Sequence, residues 1–214
     1  LFGVACGEKN ILFTNNDSVY ETAISLIQKG IKVQAIIDNR EEIDSKLIKE
    51  TEKNNIKIYK GYTIVDTFGY KRINSVSIMK LSKDGQKVIG SKENISCDSL
   101  GISGGWTPAV HLFTQSGGKL KFRDDDQVFI PNTYPSNQIS IGSCNGDFTL
   151  DEILINTPKL LKEFLNIKKT EYENIEIYSA FNKSKRNIWL LPSNKIVGKT
   201  KSFVDFQNDA TAKD

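Results

Sequence analysis

The first forty residues set out strand, tight turn, helix, glycine stop and strand. Ile11-Leu12-Phe13 is an apolar run ending in Thr14-Asn15-Asn16-Asp17-Ser18, and Val19, Ala23, Ile24 and Ile27 follow at helical spacing up to Gly30. Val33-Gln34-Ala35-Ile36-Ile37 is a second short apolar strand closed by Asp38. That order is a βαβ unit, which commits the chain to a parallel sheet covered by helices. Residues 42–54 continue as a charged helix with Ile43, Leu47 and Ile48 as its narrow apolar seam, and Ile56 to Tyr59 form a third strand.

The turn after the first strand is where a dinucleotide-binding unit places its glycines, because the backbone must approach a pyrophosphate held on free helix amides. Here Thr14 to Val19 fill all three glycine positions with side chains. Asp17 or Ser18 is expected to cap the helix, with Ser18 and Glu21 in the form of a capping box. A carboxylate at Asp17 or Glu21 also repels phosphate. The turn therefore reads as structural and nucleotide-free, and Asp38, at the ribose-binding position, as a relic or a loop cap.

From residue 61 the period changes from helical to alternating. Residues 63–66, 73–81 and 87–89, with Asp84-Gly85 as a hairpin signal, read as an antiparallel meander of three strands. Residues 97–103 return as a short buried strand before Gly104-Gly105-Trp106. Pro108 suits the first turn of a helix carrying Val110, Leu112 and Phe113. Residues 120–122 and 128–131 form a hairpin, and residues 138–142 another short strand. A final helix carries Ile153, Leu154, Leu160, Leu161 and Phe164, with Pro158 expected to break or kink it. The fold class is α/β, a Rossmann-like parallel sheet with a three-stranded antiparallel meander inserted. Residues 1–164 group as one domain, 165–186 as a linker and 187–214 as an extended segment leading onward.

A length of 214 residues is enough for a core without staples, and no apolar run approaches the roughly 18 residues of a membrane span. The net charge of +3 comes from interspersed signs, so no basic stripe argues for nucleic acid. Cys6, Cys97 and Cys144 lie far apart with no CxxC, which excludes an evident metal site and reads as buried, reduced thiols in a cytoplasmic protein. His111 has neither a paired acid nor a nucleophile nearby, and Trp106 and Trp189 read as core or interface aromatics. Asp124-Asp125-Asp126 sits at a hairpin turn rather than a metal site. No catalytic residue emerges. The chain opens Leu1-Phe2-Gly3 and its one methionine is Met79, so an internal piece of a longer chain is expected.

Several segments together resemble one family. Leu12 to Tyr20 (LFTNNDSVY) is similar to the degenerate second dinucleotide fold of the alpha subunit of heterotetrameric sarcosine oxidase. Cys97 to Leu112 (CDSLGISGGWTPAVHL), with Gln115 and Gly117-Gly118-Lys119-Leu120, resembles that family's strand-to-helix segment. Trp189-Leu190-Leu191-Pro192 and Lys201 to Thr211 (KSFVDFQNDAT) resemble the stretch leading into the rest of the subunit.

The resemblance implies oxidative demethylation of sarcosine to glycine, with hydrogen peroxide and formaldehyde or, with tetrahydrofolate, its methylene adduct. It implies FAD and FMN in the whole complex, the flavins lying in the beta subunit and at the alpha–beta interface. NAD is implied in the first dinucleotide fold of the alpha subunit and folate in its C-terminal part, neither of which this chain contains. The partners implied are the remaining alpha chain and the beta, gamma and delta subunits. The family's NAD site also receives residues from the return segment, which carries Gly142, Ser143, Phe148 and Leu150 over as cofactor-binding positions. Strand, glycine, small residue and helix start suit a close approach to a dinucleotide. An ordinary strand–helix junction remains the competing reading, as do a nucleotide-free subunit-packing module and a related amine or opine dehydrogenase subunit. The last would call for a cysteine cluster near residues 205–214, where this chain has none.

Overall fold

The structure, a computed structural model, describes residues 3–43, 46–167, 188, 190–193, 203–205 and 210–211. It divides into two compact units, residues 1–104 with 183–214, and residues 105–182. The division falls after Gly104, inside the span 1–164 that the sequence pattern groups as one domain. The linker expected at 165–186 lies almost wholly outside the described residues, as do Trp189 and most of residues 187–214.

In the first unit, β1 (Asn10–Thr14), α1 (Ser18–Gln28), β2 (Val33–Asp38), α2 (Lys46–Lys53) and β3 (Lys57–Lys60) alternate as the pattern requires. β4 (Tyr62–Gly69), β5 (Ile73–Leu81) and β6 (Val88–Ser96) form the antiparallel meander, and β7 (Ser99–Ser103) returns to the parallel sheet, whose order is β3-β2-β1-β7. All three of its pairings are parallel. β1 is buried at every residue because both faces of the sheet are covered. Leu12 and Ile36 turn to one face, against Val19, Tyr20 and Ala23 of α1 and Ile48 of α2. Ile11, Phe13, Ala35 and Ile37 turn to the other, against Val76 and Ile78 of the meander and Cys97. The alternation of a strand thus sorts one apolar run into two cores.

The glycine stop is a Schellman turn: Gly30, at φ +76°, donates to the Ile27 carbonyl at 2.8 Å, and Ile31 donates to Leu26 at 3.0 Å. β6 runs seven residues beyond the expected Ile89, through a polar stretch exposed along almost its whole length. Its pairing with β5, rather than burial, holds it as a strand.

The second unit contains α3 (His111–Gln115), the hairpin β8 (Lys119–Arg123) and β9 (Val128–Thr133), and α4 (Leu150–Phe164). Pro108 lies ahead of α3, not in its first turn; its carbonyl accepts from Val110 at 3.0 Å and the helix begins at His111. Residues 138–142 form no strand: Ile141 is extended, but no described strand pairs with it, and Gly142–Asn145 close into a 3-10 turn. α4 passes through Pro158 without ending.

Candidate functional site

A parallel sheet of this kind offers a ligand crevice beyond the carboxyl ends of its strands, where the strand order reverses. Here the reversal is at β1, whose neighbours β2 and β7 lie on opposite sides, so the crevice is framed by Thr14, Asp38 and Ser103, in register with one another.

The expected cap is made differently from the pattern. Asp17 occupies the N-cap position of α1 but makes no capping bond with its side chain. Asn16 takes that role from one residue earlier: its Oδ1 accepts from the Ser18 amide at 3.1 Å and the Ser18 hydroxyl at 2.6 Å. Its Nδ2 donates across the crevice to the Ser103 carbonyl and hydroxyl, both at 3.2 Å. The Thr14 hydroxyl accepts from the Asn16 amide at 3.1 Å and donates to the Asn16 carbonyl at 2.9 Å. One carboxamide thereby ties the helix start to the end of β7. The capping box expected at Ser18 and Glu21 occurs instead at Thr149 and Glu152 of α4.

Asp17 is free to leave the cap because Arg40 holds it. Arg40 Nη1 lies 2.8 Å from Asp17 Oδ1, and Arg40 Nε and Nη2 lie 3.0 and 2.7 Å from the two oxygens of Asp38. The Tyr20 hydroxyl donates to Asp38 Oδ2 at 2.9 Å, and the Arg40 amide donates to Asp38 Oδ1 at 2.9 Å. The side chains of Arg40, Asp17 and Asp38 are only 4%, 1% and 0% exposed. Burial works against the charged guanidinium, but its bonds to Asp38 and Asp17 outweigh that and hold Arg40 above its ordinary value. Burial, reinforced by the Asp38 charge and the hydrogen bond to it, pushes the Tyr20 hydroxyl far up. Asp38 at the ribose position is therefore the acceptor of an internal ion network. The sequence reading missed Arg40; its signal was a cation two residues after a strand-end carboxylate.

The second unit holds the return segment. Gly142, at φ +66°, opens the 3-10 turn and is buried, while Ser143 is exposed. Phe148 is half-buried and its amide donates to Glu152 Oε2 at 3.2 Å, as does that of Thr149. Leu150 starts α4 and is 64% exposed. The four positions thus gather at one turn and one helix start, not on a strand end. Asp147, between them, is 7% exposed; Asn156 Nδ2 donates to its Oδ1 at 2.9 Å, and its Oδ2 has no partner among the described residues. Arg123 bonds the Gly146 carbonyl from Nη2 at 2.9 Å and pairs with Asp126.

The remaining candidates stay apart. His111 is exposed at the start of α3, Trp106 is 60% exposed, and of the three free cysteines only Cys97 is buried. The expectation of three buried thiols is corrected for Cys6 and Cys144, which sit on a terminal segment and a surface turn. Among the described residues no group of three or more His, Cys, Asp or Glu gathers to hold a metal, and no helix is long and apolar enough to cross a membrane.

No family model matches the chain. In fold, the chain is similar to the HOCl-induced flavoprotein disulfide reductase RclA from Escherichia coli, which superposes with a TM-score of 0.51 over 75% of this chain and 36% of that one, at 14% identity. In sequence, the chain is similar along its whole length to sarcosine oxidase alpha subunits. It is 29% identical over 220 residues to that of Corynebacterium sp. (strain U-96) and 26% identical over 218 residues to that of Rhizobium meliloti (strain 1021). It spans 22% and 20% of the length of those two relatives.

Proposed function

We propose that this chain serves as part of the alpha subunit of a sarcosine-oxidising enzyme. The observation that carries the reading is the similarity over 100% of the chain to sarcosine oxidase alpha subunits. The reaction is the oxidative demethylation of sarcosine to glycine: oxygen is reduced to hydrogen peroxide, and the methyl carbon leaves as formaldehyde or is passed to tetrahydrofolate. The FAD, FMN and folate sites of such an enzyme belong to regions this chain does not contain, and its partners are the remaining alpha chain and the beta, gamma and delta subunits in a cytoplasmic heterotetramer.

The role of these residues is scaffolding, with a contribution to an NAD site from the return segment around Gly142, Ser143, Phe148 and Leu150. The left-handed Gly142 at the head of the turn, beside exposed Ser143, supports that contribution, since backbone without a side chain can be approached closely by a ligand. The start of α4 suits a phosphate poorly, because Glu152 already takes the Phe148 and Thr149 amides and adds negative charge there. If NAD is bound at the return segment, these residues hold and orient it.

The test is to purify the holoprotein that carries this chain and assay sarcosine-dependent formation of hydrogen peroxide and formaldehyde. Absence of both, with turnover of another amine, would overturn the reading. Calorimetric titration of NAD into the isolated 214 residues is expected to show weak binding or none, and tight stoichiometric binding would refute the partial site.

A further inference from the structure

We infer that Asn16 and Arg40 are built-in occupants of the nucleotide position in the first unit, and that these two side chains exclude an adenine dinucleotide from the β1–α1–β2 crevice. The inference concerns only this crevice and does not depend on the reaction or on the return segment.

A bound dinucleotide makes two polar demands at a crevice of this topology: its pyrophosphate needs free amides at the start of the helix, and its ribose needs a carboxylate at the end of the second strand. Both are met internally. The Asn16 carboxamide accepts from the Ser18 amide and donates to Ser103 on the opposite wall, so it spans the gap at the helix start. The Arg40 guanidinium covers both oxygens of Asp38 and joins Asp17, while Tyr20 adds a further donor to Asp38. An arginine just beyond the strand-end acid is also the residue type that accommodates a 2′-phosphate. Here its buried head leaves nothing for such a phosphate to meet, because it is turned inward between two carboxylates. Asn16, Asp17, Asp38 and Arg40 are all nine-tenths or more buried, so the crevice is filled by side chains instead of lying open to solvent.

Exclusion by occupancy makes a prediction that a merely degenerate turn does not: removing the occupants should uncover a usable site. The triple variant Asn16→Gly, Asp17→Ser, Arg40→Ser deletes the spanning carboxamide and one neutral ion pair, leaving Asp38 with Tyr20. The holoprotein is photolabelled with a 2-azido-adenine analogue of NAD at millimolar concentration, and the label is located by peptide mass spectrometry. The natural protein should show no label displaceable by ADP-ribose in the peptides covering residues 10–29 and 33–40. The triple variant should show at least a tenfold rise there. Displaceable label in those peptides of the natural protein overturns the inference, as does a folded triple variant that stays unlabelled. If the triple variant does not fold, the milder pair Asn16→Ser, Arg40→Gln is labelled in the same way, because it shortens both occupants and keeps Asp17, and a folded pair that stays unlabelled overturns the inference. Label at residues 142–150 is scored separately and bears only on the NAD contribution of the return segment.

Discussion

The Arg40 guanidinium bridges Asp17, at the start of α1, to Asp38, at the end of β2, with contacts of 2.8 and 2.7 Å in a setting almost closed to water. It joins the turn and the strand end of the βαβ unit through one buried cation. Replacing Arg40 with methionine strands two buried carboxylates, and the loss of one partner from a buried ion group costs about 3–5 kcal/mol. Adding Asp17→Leu to Arg40→Met should recover part of this, since one orphaned charge is removed. Denaturant unfolding of the two variants checks it; equal stabilities would show that Asp17 is not left as a costly buried charge when Arg40 is lost.

Tyr20 makes the network sensitive to alkali. Its hydroxyl is held above its ordinary value by burial and by Asp38, so the folded state keeps a proton that the unfolded chain releases near the reference value of about 10. The stabilisation is fully present below about pH 10 and is lost progressively above it, by about 1.4 kcal/mol per pH unit. Tyr20→Phe removes both the bond to Asp38 and this titration. The variant should be less stable than the natural protein at pH 8, and the gap should narrow between pH 10 and 11. A gap of constant size across that range would contradict the assignment.

The sequence carried the fold further than it carried the site, and particular residues explain the difference. Ile11-Leu12-Phe13 and Ile36-Ile37 announce strands buried on both faces, and the Gly30 stop is a local backbone requirement visible in the residue type. β6 was only half legible, because residues 90–96, polar but for Gly90 and Ile95, are strand chiefly through pairing with β5. The strand anticipated at 138–142 failed for the converse reason: its residues suit an extended backbone, but no described strand lies alongside. The absence of glycines at Thr14 to Val19 was legible in the sequence as side chains where a dinucleotide-binding turn has glycine. What fills it was not legible, since Ser103, more than eighty residues away, supplies the far wall, and the choice of Asn16 over Asp17 as cap depends on Arg40 drawing Asp17 aside.

Glu152 concentrates three donors on one oxygen: the amides of Phe148 and Thr149 at 3.2 Å and the Thr149 hydroxyl at 2.9 Å. Glu152→Ala should cost about 1 kcal/mol, in the range of lost helix caps, and Glu152→Gln should recover most of it because an acceptor oxygen remains. Hydrogen exchange at the first turn of α4 is the direct readout. Unchanged protection in Glu152→Ala would mean that the cap does not hold the helix start.

Gly146 cannot take a side chain without disturbing Arg123. Its φ of +86° lies in the left-handed region, and a Cβ there would sit 2.8 Å from Arg123 Nη2 and 3.0 Å from Ile130 Cγ2. Arg123 has little room to yield, since Nη2 also bonds the Gly146 carbonyl and the guanidinium is paired with Asp126. Gly146→Ala combines backbone strain with overpacking and should destabilise the second unit by about 1–3 kcal/mol. Asp126→Ala releases the guanidinium to swing aside, so the cost of Gly146→Ala should fall by at least about 0.5 kcal/mol in that background. A double-mutant cycle by thermal or denaturant unfolding measures the coupling, and strictly additive costs would show that Arg123 is not what Gly146 must avoid.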